Sequence, residues 1–251
     1  MEAVSRLTRD PEKSKTDQNP EYQTTALDWT WEKHGGLGYG WTSEDKDSDK
    51  IAMFDMDGTL INTKSKKTNP IDKNDWVFWN SCIPKKLQEV KAKGYRVVIV
   101  TNQKGISLGH TTLNEIQSKI HNFSKQIGIE MSAFIATSDD EFRKPLPGIW
   151  NYIKDKHNKT KIDRSQCFFV GDAAGRPKVG HRHKDHSDAD RMFAINSDLK
   201  FYTPEHFFLD IKEDLPDIPL SIVQLHKATT LFKGKAYEFD ASKRDSIFIS
   251  C

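Results

Sequence analysis

Long apolar runs are missing from this 251-residue chain. None approaches the ~20 residues that a membrane-spanning helix needs, and the mean hydropathy is −0.70, so no membrane association is expected. Residues 1–19 are charged and lack the apolar stretch of a secretory signal. Cysteine is scarce. Cys82, Cys167 and Cys251 form no close pair, and an odd count argues against a disulfide framework. A reducing, intracellular compartment is the expectation. The phosphate-binding loop Gly-x-x-x-x-Gly-Lys-[Ser/Thr] is absent, since Gly234-Lys235-Ala236 has no glycine at the required offset. No internal repeat is present. A hydrophobic fraction of 36% then implies one compact domain with polar flanks.

Charge is nearly balanced overall, at +2, but segregated along the chain. Residues 51–197 carry 24 Lys and Arg against 16 Asp and Glu, whereas the flanks carry 14 against 20. A basic core suits an anionic ligand larger than one phosphate, although domains without such a partner show the same asymmetry. Residues 1–25 read as a disordered tail. Residues 26–50 place Trp29, Trp31, Tyr39 and Trp41 among glycines, an arm packed on the core by its aromatics or, in a sharper reading, a base-stacking platform. Residues 51–209 form the main domain and 210–251 a C-terminal extension.

Within the domain, strands are predicted at 51–55, 96–101, 133–137 and 167–171, with a possible fifth at 193–196. Helices are predicted at 84–93, 111–127 and 147–157. The second helix carries Leu113, Ile116, Ile120, Phe123 and Ile127 at helical spacing. Residues 205–209 read as helical and 245–249 as an added edge strand. Alternation of this kind gives an α/β fold: a doubly wound, mostly parallel sheet with helices on both sides.

The most informative stretch is Ile51-Ala-Met-Phe-Asp55-Met-Asp57-Gly58-Thr59-Leu60. Alternate residues of a strand share a face, so Asp55 and Asp57 emerge together at a strand end, at the edge where open α/β sheets build their sites. Two carboxylates this close repel unless a cation lies between them or one is protonated. A hard dication holding a phosphate beside a carboxylate nucleophile resolves the conflict. The bland reading is a polar strand end capping a turn. Three further strand ends are polar: Thr101-Asn102-Gln103, with amides able to donate to phosphate oxygens; Arg143-Lys144, cations for a negative partner; and Gly171-Asp172.

Together these motifs resemble the haloacid dehalogenase superfamily. Over roughly residues 51–209 the likeness narrows. Thr101-Asn-Gln-x-x-Ile106, Arg143-Lys-Pro-x-x-Gly-x-Trp150, Phe169-Val-Gly-Asp-Ala-Ala-Gly-Arg-Pro177, Ser187-x-Ala-Asp-Arg-x-Phe-Ala-x-Asn196 and Thr203-Pro-Glu-His-Phe-Phe208 resemble the phosphatase domain of polynucleotide kinase/phosphatase. The resemblance implies that Asp55 is the nucleophile, forming an aspartyl-phosphate. Asp57 would protonate the leaving oxygen and then activate water. Asp55, the backbone carbonyl of Asp57, and Asp172 would hold Mg²⁺. Thr101 and Lys144 would bind the transferring phosphoryl group, helped by backbone amides from Gly58 onward and by Asn102, Gln103 and Arg143. Arg176 would add a phosphate contact. Asp185 and Asp190 would orient Lys144 or the metal's waters, salt bridges to local cations being the alternative. The segment after Thr101 lacks an arginine that the family often has near position 108.

The missing nucleotide-phosphate loop makes the chain similar to stand-alone DNA 3′-phosphatases of that family rather than to its bifunctional members. The expected partner is DNA with a 3′-phosphate end (single-stranded, nicked or at a double-strand break), the expected location the nucleus, and the expected state a monomer. Spacing fits a large substrate. The offsets of 44 positions from Asp57 to Thr101 and 43 from Thr101 to Lys144 leave no room for a cap domain once about 30 are used by each crossover. Lys64, Lys66 and Lys67 follow the nucleophile strand, and Arg176, Lys178, Arg182, Lys184 and Arg191 form a second basic stretch able to track a phosphate backbone. That stretch also holds His181, His183 and His186, a zinc reading weakened by the lack of a nearby cysteine. Two rivals follow. Small-molecule phosphatases acting on histidinol phosphate or heptose bisphosphate share Thr101–Ile106 and Arg143–Gly148, but usually carry a cysteine/histidine zinc loop where this chain has Ser138-Asp-Asp-Glu-Phe142. A non-enzymatic DNA-end scaffold would have little need of a repelling carboxylate pair.

Overall fold

The computed structural model describes residues 27–67, 70–180 and 182–217. The tail expected over 1–25, the strand expected at 245–249, most of the C-terminal extension, and His181 lie outside the described residues. Nine strands occur: β1 (Trp29–His34), β2 (Leu37–Thr42), β3 (Ile51–Phe54), β4 (Ile61–Asn62), β5 (Val77–Phe78), β6 (Arg96–Asn102), β7 (Ser132–Ala136), β8 (Phe168–Val170) and β9 (Lys200–Tyr202). Seven form one sheet in the order β1-β2-β7-β6-β3-β8-β9, with β7, β6, β3, β8 and β9 mutually parallel.

The helices are α1 (Ile83–Ala92), α2 (Leu113–Ile127), α3 (Gly148–Tyr152), α4 (Ala189–Asn196) and α5 (Pro204–Leu209). β3 is buried throughout, and its side chains alternate between two cores. Ala52 and Phe54 meet Leu87 of α1, Ile120 and Phe123 of α2, and Phe208 of α5. Ile51 and Met53 join Ile149 and Trp150 of α3 and Phe193 of α4 on the other face. Burial on both faces explains the near-continuous apolar runs of β3 and β6. α2 starts with a reciprocal capping box, in which Thr112 Oγ1 accepts from the Glu115 amide and Glu115 accepts from the Thr112 amide.

Three elements differ from expectation. Residues 193–196 end helix α4, and the fifth parallel strand is β9; a four-residue apolar run cannot by itself separate helix from strand. The helix expected at 147–157 is α3 continued by a wider π turn over Ile153–His157. The aromatic arm is a β-hairpin that extends the sheet, β1 antiparallel to β2 and β2 antiparallel to β7. Its aromatics divide by strand parity. Trp29 and Trp31 stack at 4.6 Å on the α2 side, whereas Tyr39 and Trp41 pack toward His157 on the other. Between Asp57 and Thr101 the chain adds only the β4–β5 ribbon and α1, and between Thr101 and Lys144 only α2 and β7, so no cap domain occurs among the described residues.

Candidate active site

Order reverses around β3: the chain runs outward through β6 and β7 on one side, then returns to β8 and β9 on the other. Ligand crevices of open α/β sheets form at such a point, beyond the carboxyl ends of the strands. Asp55 follows β3 directly, Thr101 lies in the last turn of β6, Lys144 follows β7, and Asp172 follows β8. The four side chains come from segments at or beyond the ends of four separate strands.

Lys144 is the centre. Its side chain is 2% exposed, and Nζ lies 2.6 Å from Asp55 Oδ1, 2.7 Å from Asp190 Oδ1 and 2.9 Å from the Val100 carbonyl. Asn102 holds the backbone of Lys144 at both ends, Oδ1 accepting from the Lys144 amide and Nδ2 donating to its carbonyl, each at 3.0 Å. Asp190 also accepts from the Ala173 amide at 3.0 Å. Gly171 makes this approach possible, since a Cβ there would lie 2.4 Å from an Asp190 oxygen. Gln103 Nε2 donates to Asp57 Oδ2 at 2.7 Å and to Thr101 Oγ1 at 3.0 Å. Asp57 is exposed and lines the cleft.

The electrostatics fit a metal site. Asp55, Asp172 and Asp190 bring oxygens within 4.8 Å of one another around a single ammonium. Burial pushes Asp55 well above the usual carboxylate range; Lys144 opposes that rise, while Asp190 and Asp172 add to it. Asp172 is pushed up to about 6, chiefly by burial and then by Asp190. Burial works against the charge on Lys144, but Asp190 and Asp55 outweigh it and raise its pKa. Both Asp190 oxygens are already engaged, whereas Asp55 Oδ2 and Asp172 Oδ2 accept no hydrogen bond among the described residues. The donor set therefore fits a hard cation on Asp55 and Asp172, with Asp190 orienting Lys144. Gly58, at φ +85°, keeps the approach open, because a Cβ there would lie 2.6 Å from Asp172 Oδ2.

A cleft of about 890 Å³ opens in front of Asp57, Gly58 and Asp172. Gln103, Asn102 and Arg143 line it, as do Lys66, Lys67, Lys73, Lys104 and Lys119. Lys119 is 3% exposed, and its ammonium has no hydrogen-bond or ion-pair partner among the described residues. Sequence reasoning missed it. The signal was a lysine inside the apolar face of α2, three residues after Ile116 and four before Phe123. Lys104, paired with Asp139, was missed too, whereas His186, named in the sequence with a zinc reading, lies 3.9 Å from Asp172. Arg143 pairs with Asp139 at 3.0 Å on the cleft rim.

Arg176 corrects an expectation. It is buried and bound to Asp185, Glu205 and Glu213 at 2.7–2.9 Å, with a further bond to the Asp172 carbonyl. Its charge is consumed inside the protein, where it braces the Asp172 turn instead of meeting substrate. Asp185 accepts from the Ala174 and Arg176 amides and belongs to the same brace. Arg182 faces Asp185 and Glu213, and Arg191 donates to the Pro216 carbonyl. Lys178 and Lys184 are exposed but do not line the cleft.

Residues 50–208 match the family model described as polynucleotide kinase 3 phosphatase. The bifunctional polynucleotide phosphatase/kinase of Schizosaccharomyces pombe is 36% identical over 212 residues, covering 81% of this chain and 48% of that protein. Polynucleotide 3′-phosphatase ZDP of Arabidopsis thaliana is 36% identical over 178 residues, 65% of this chain and 24% of that protein. The chain thus spans about half and about a quarter of the length of these two relatives. Among solved structures, a HAD-like phosphatase candidate from Mesorhizobium loti superposes with a TM-score of 0.52 at 17% identity, over 66% of this chain and 78% of that one, a likeness of fold. Every residue of the Lys144 cluster lies inside the family match, whereas the β1–β2 hairpin precedes it.

Proposed function

The chain belongs to the polynucleotide kinase 3 phosphatase family, and on that premise we propose that this phosphatase removes the 3′-phosphate from DNA ends at strand breaks. The observation that carries the reading is the Asp55–Lys144–Asp190–Asp172 cluster at the floor of an open, lysine-lined cleft. The cluster supports phosphoryl-transfer chemistry, and with no cap domain among the described residues the cleft has room for a polymer end. A nuclear location accords with a repair role.

In the first step, an Asp55 carboxylate oxygen attacks phosphorus, and the bond to the 3′-oxygen breaks. Asp57 gives its proton to that oxygen, leaving a 3′-hydroxyl and an acyl phosphate on Asp55. In the second step, Asp57 takes a proton from water, whose oxygen attacks the same phosphorus. Asp55 is restored and inorganic phosphate leaves. Lys144, held by Asp190, favours the ionised form of the nucleophile and aligns it, and Thr101 and the amides from Gly58 onward bind the phosphoryl oxygens. Mg²⁺ held by Asp55, Asp172 and the Asp57 carbonyl would neutralise charge on the phosphoryl group.

The experiment is incubation with Mg²⁺ and a labelled oligonucleotide phosphorylated at both ends. Loss of the 3′-phosphate alone is expected. Retention of both phosphates, with histidinol phosphate or a heptose bisphosphate hydrolysed instead, would transfer the protein to the metabolite phosphatases.

A further inference from the structure

A second cavity of about 510 Å³ lies on the other side of α2 from the catalytic cleft. One wall is the stacked pair Trp29 and Trp31, whose planes lie 9° apart. The facing wall is α2, which presents Asn114, Gln117, Ser118 and Asn122. These four fall on one helical face, at spacings of three and four. An ordinary solvated helix face carries charges at such positions. Here His121, which also lines the cavity, is the one titratable side chain of the face, and none of the four makes a hydrogen bond among the described residues. The arrangement joins flat aromatic surface to free amide donors and acceptors, which is what the face and the edges of a nucleobase require.

The groove lies next to the cleft. Lys73 lines both, and α2 is their common wall, with Glu115, Ile116 and Lys119 turned to the cleft. Lys119, a residue 3% exposed with Asp75 as its electrostatic neighbour, places an ammonium on the cleft side of that ridge, and Lys73 places another charge where the two cavities meet. From Asn114 to Asn122 the helix rises about 12 Å, enough for about three stacked nucleotides at ~3.4 Å each. One carboxylate, Asp28, lies at the rim.

We propose that this β1–α2 groove is a nucleobase subsite, taking the unpaired bases that precede the terminal nucleotide while Lys119 and Lys73 take the intervening phosphodiesters. The proposal rests on the reading of the chain as a polynucleotide phosphatase. It makes the hairpin outside the family match a specificity element, and it separates two pairs of tryptophan and tyrosine residues by role. Tyr39 and Trp41 are structural, and Trp29 and Trp31 belong to the substrate path.

The test uses the full chain with Mg²⁺ and single-stranded substrates of about one to eight nucleotides bearing a 3′-phosphate. The parent should gain kcat/KM with length until the groove is filled. In the N114A/Q117A/N122A variant that gain should shrink by roughly tenfold, within the range that the loss of one to three hydrogen bonds gives. Photo-crosslinking of a 5-iodouridine oligonucleotide should map to Trp29 or Trp31 when the label lies two to four nucleotides from the end. An unchanged length profile in the variant, or crosslinks elsewhere, would overturn the subsite. So would occupation of the groove by the chain's own residues 1–26, seen as oligonucleotide binding that improves when they are removed. Failure of the parent to release phosphate at any length is a different result: it sinks the functional reading itself, while the crosslink still reports on the groove.

Discussion

Asp55 has one oxygen tied to Lys144 at 2.6 Å and the other without a hydrogen-bond partner among the described residues. Replacement by Asn keeps the shape and removes the charge, so Asp55→Asn should lower kcat by about 10⁴-fold or more, as loss of a covalent nucleophile does elsewhere. Activity on a chromogenic phosphate ester within tenfold of the parent would remove Asp55 from that role. Asp172 supports a prediction in pH. In the folded protein its pKa is about 6, against an ordinary value of 3.8. The folded state therefore binds the extra proton, stability falls as pH rises between those values, and the penalty is complete above about 6. A cation on Asp172 relieves the penalty only where the carboxyl is ionised. The rise in Tm on adding Mg²⁺ should thus be clearly larger at pH 7.5 than at pH 5. Equal rises in thermal denaturation at the two pH values would place the ion elsewhere.

Between β4 and β5 the chain forms a loop whose shape depends on Asp75. Its carboxylate accepts from the Ser65 amide at 2.7 Å, the Ser65 hydroxyl at 2.6 Å and the Ile71 amide at 2.9 Å. These bonds hold the segment that carries Lys66, Lys67 and Lys73 to the cleft. Asp75→Ala should release the lysines, raising KM for an oligonucleotide by about tenfold or more while kcat/KM for a small chromogenic ester stays within about twofold. Equal losses on both substrates would mean that the loop supports the catalytic floor instead. Such a staple was not legible in the sequence, because Asp75 reads there as one more polar loop residue. What was legible followed from local pattern. β3 and β6 announce themselves as apolar runs closed by polar ends, and the Asp55-x-Asp57 spacing implies a shared face. α4 was misread because Phe193 to Asn196 is too short to reveal its period, and its true partner in the fold, Asp190 against Lys144, is a contact between residues 46 positions apart. Lys119 stayed hidden for a related reason: a lysine in an apolar helix face declares its function only when the cleft in front of it is known.

At the scale of the molecule, the net positive charge of residues 51–197 is distributed unevenly over the fold. Two lysine-rich stretches competed for the role of phosphate track. The sequence favours neither, since 64–67 and 176–191 are both dense in cations. Packing distinguishes them. Arg176, Arg182 and Arg191 have partners within the protein, leaving Lys178 and Lys184 on a surface away from the cleft. Lys66, Lys67, Lys73, Lys104 and Lys119 share the cleft with Asp57 and Gly58. Each phosphate contact with a single strand contributes about 0.7 to the slope of log K against log salt. Neutralising Lys66, Lys67 and Lys73 together should therefore reduce that slope by roughly 2, measured by titrating a fluorescent single-stranded oligonucleotide at several salt concentrations. Neutralising Lys178 and Lys184 should leave it nearly unchanged. The opposite result would move the strand to the β8–α4 side of the active site, away from α2 and the Trp29–Trp31 groove, and the route of the substrate across the sheet edge would have to be redrawn from Asp172 outward.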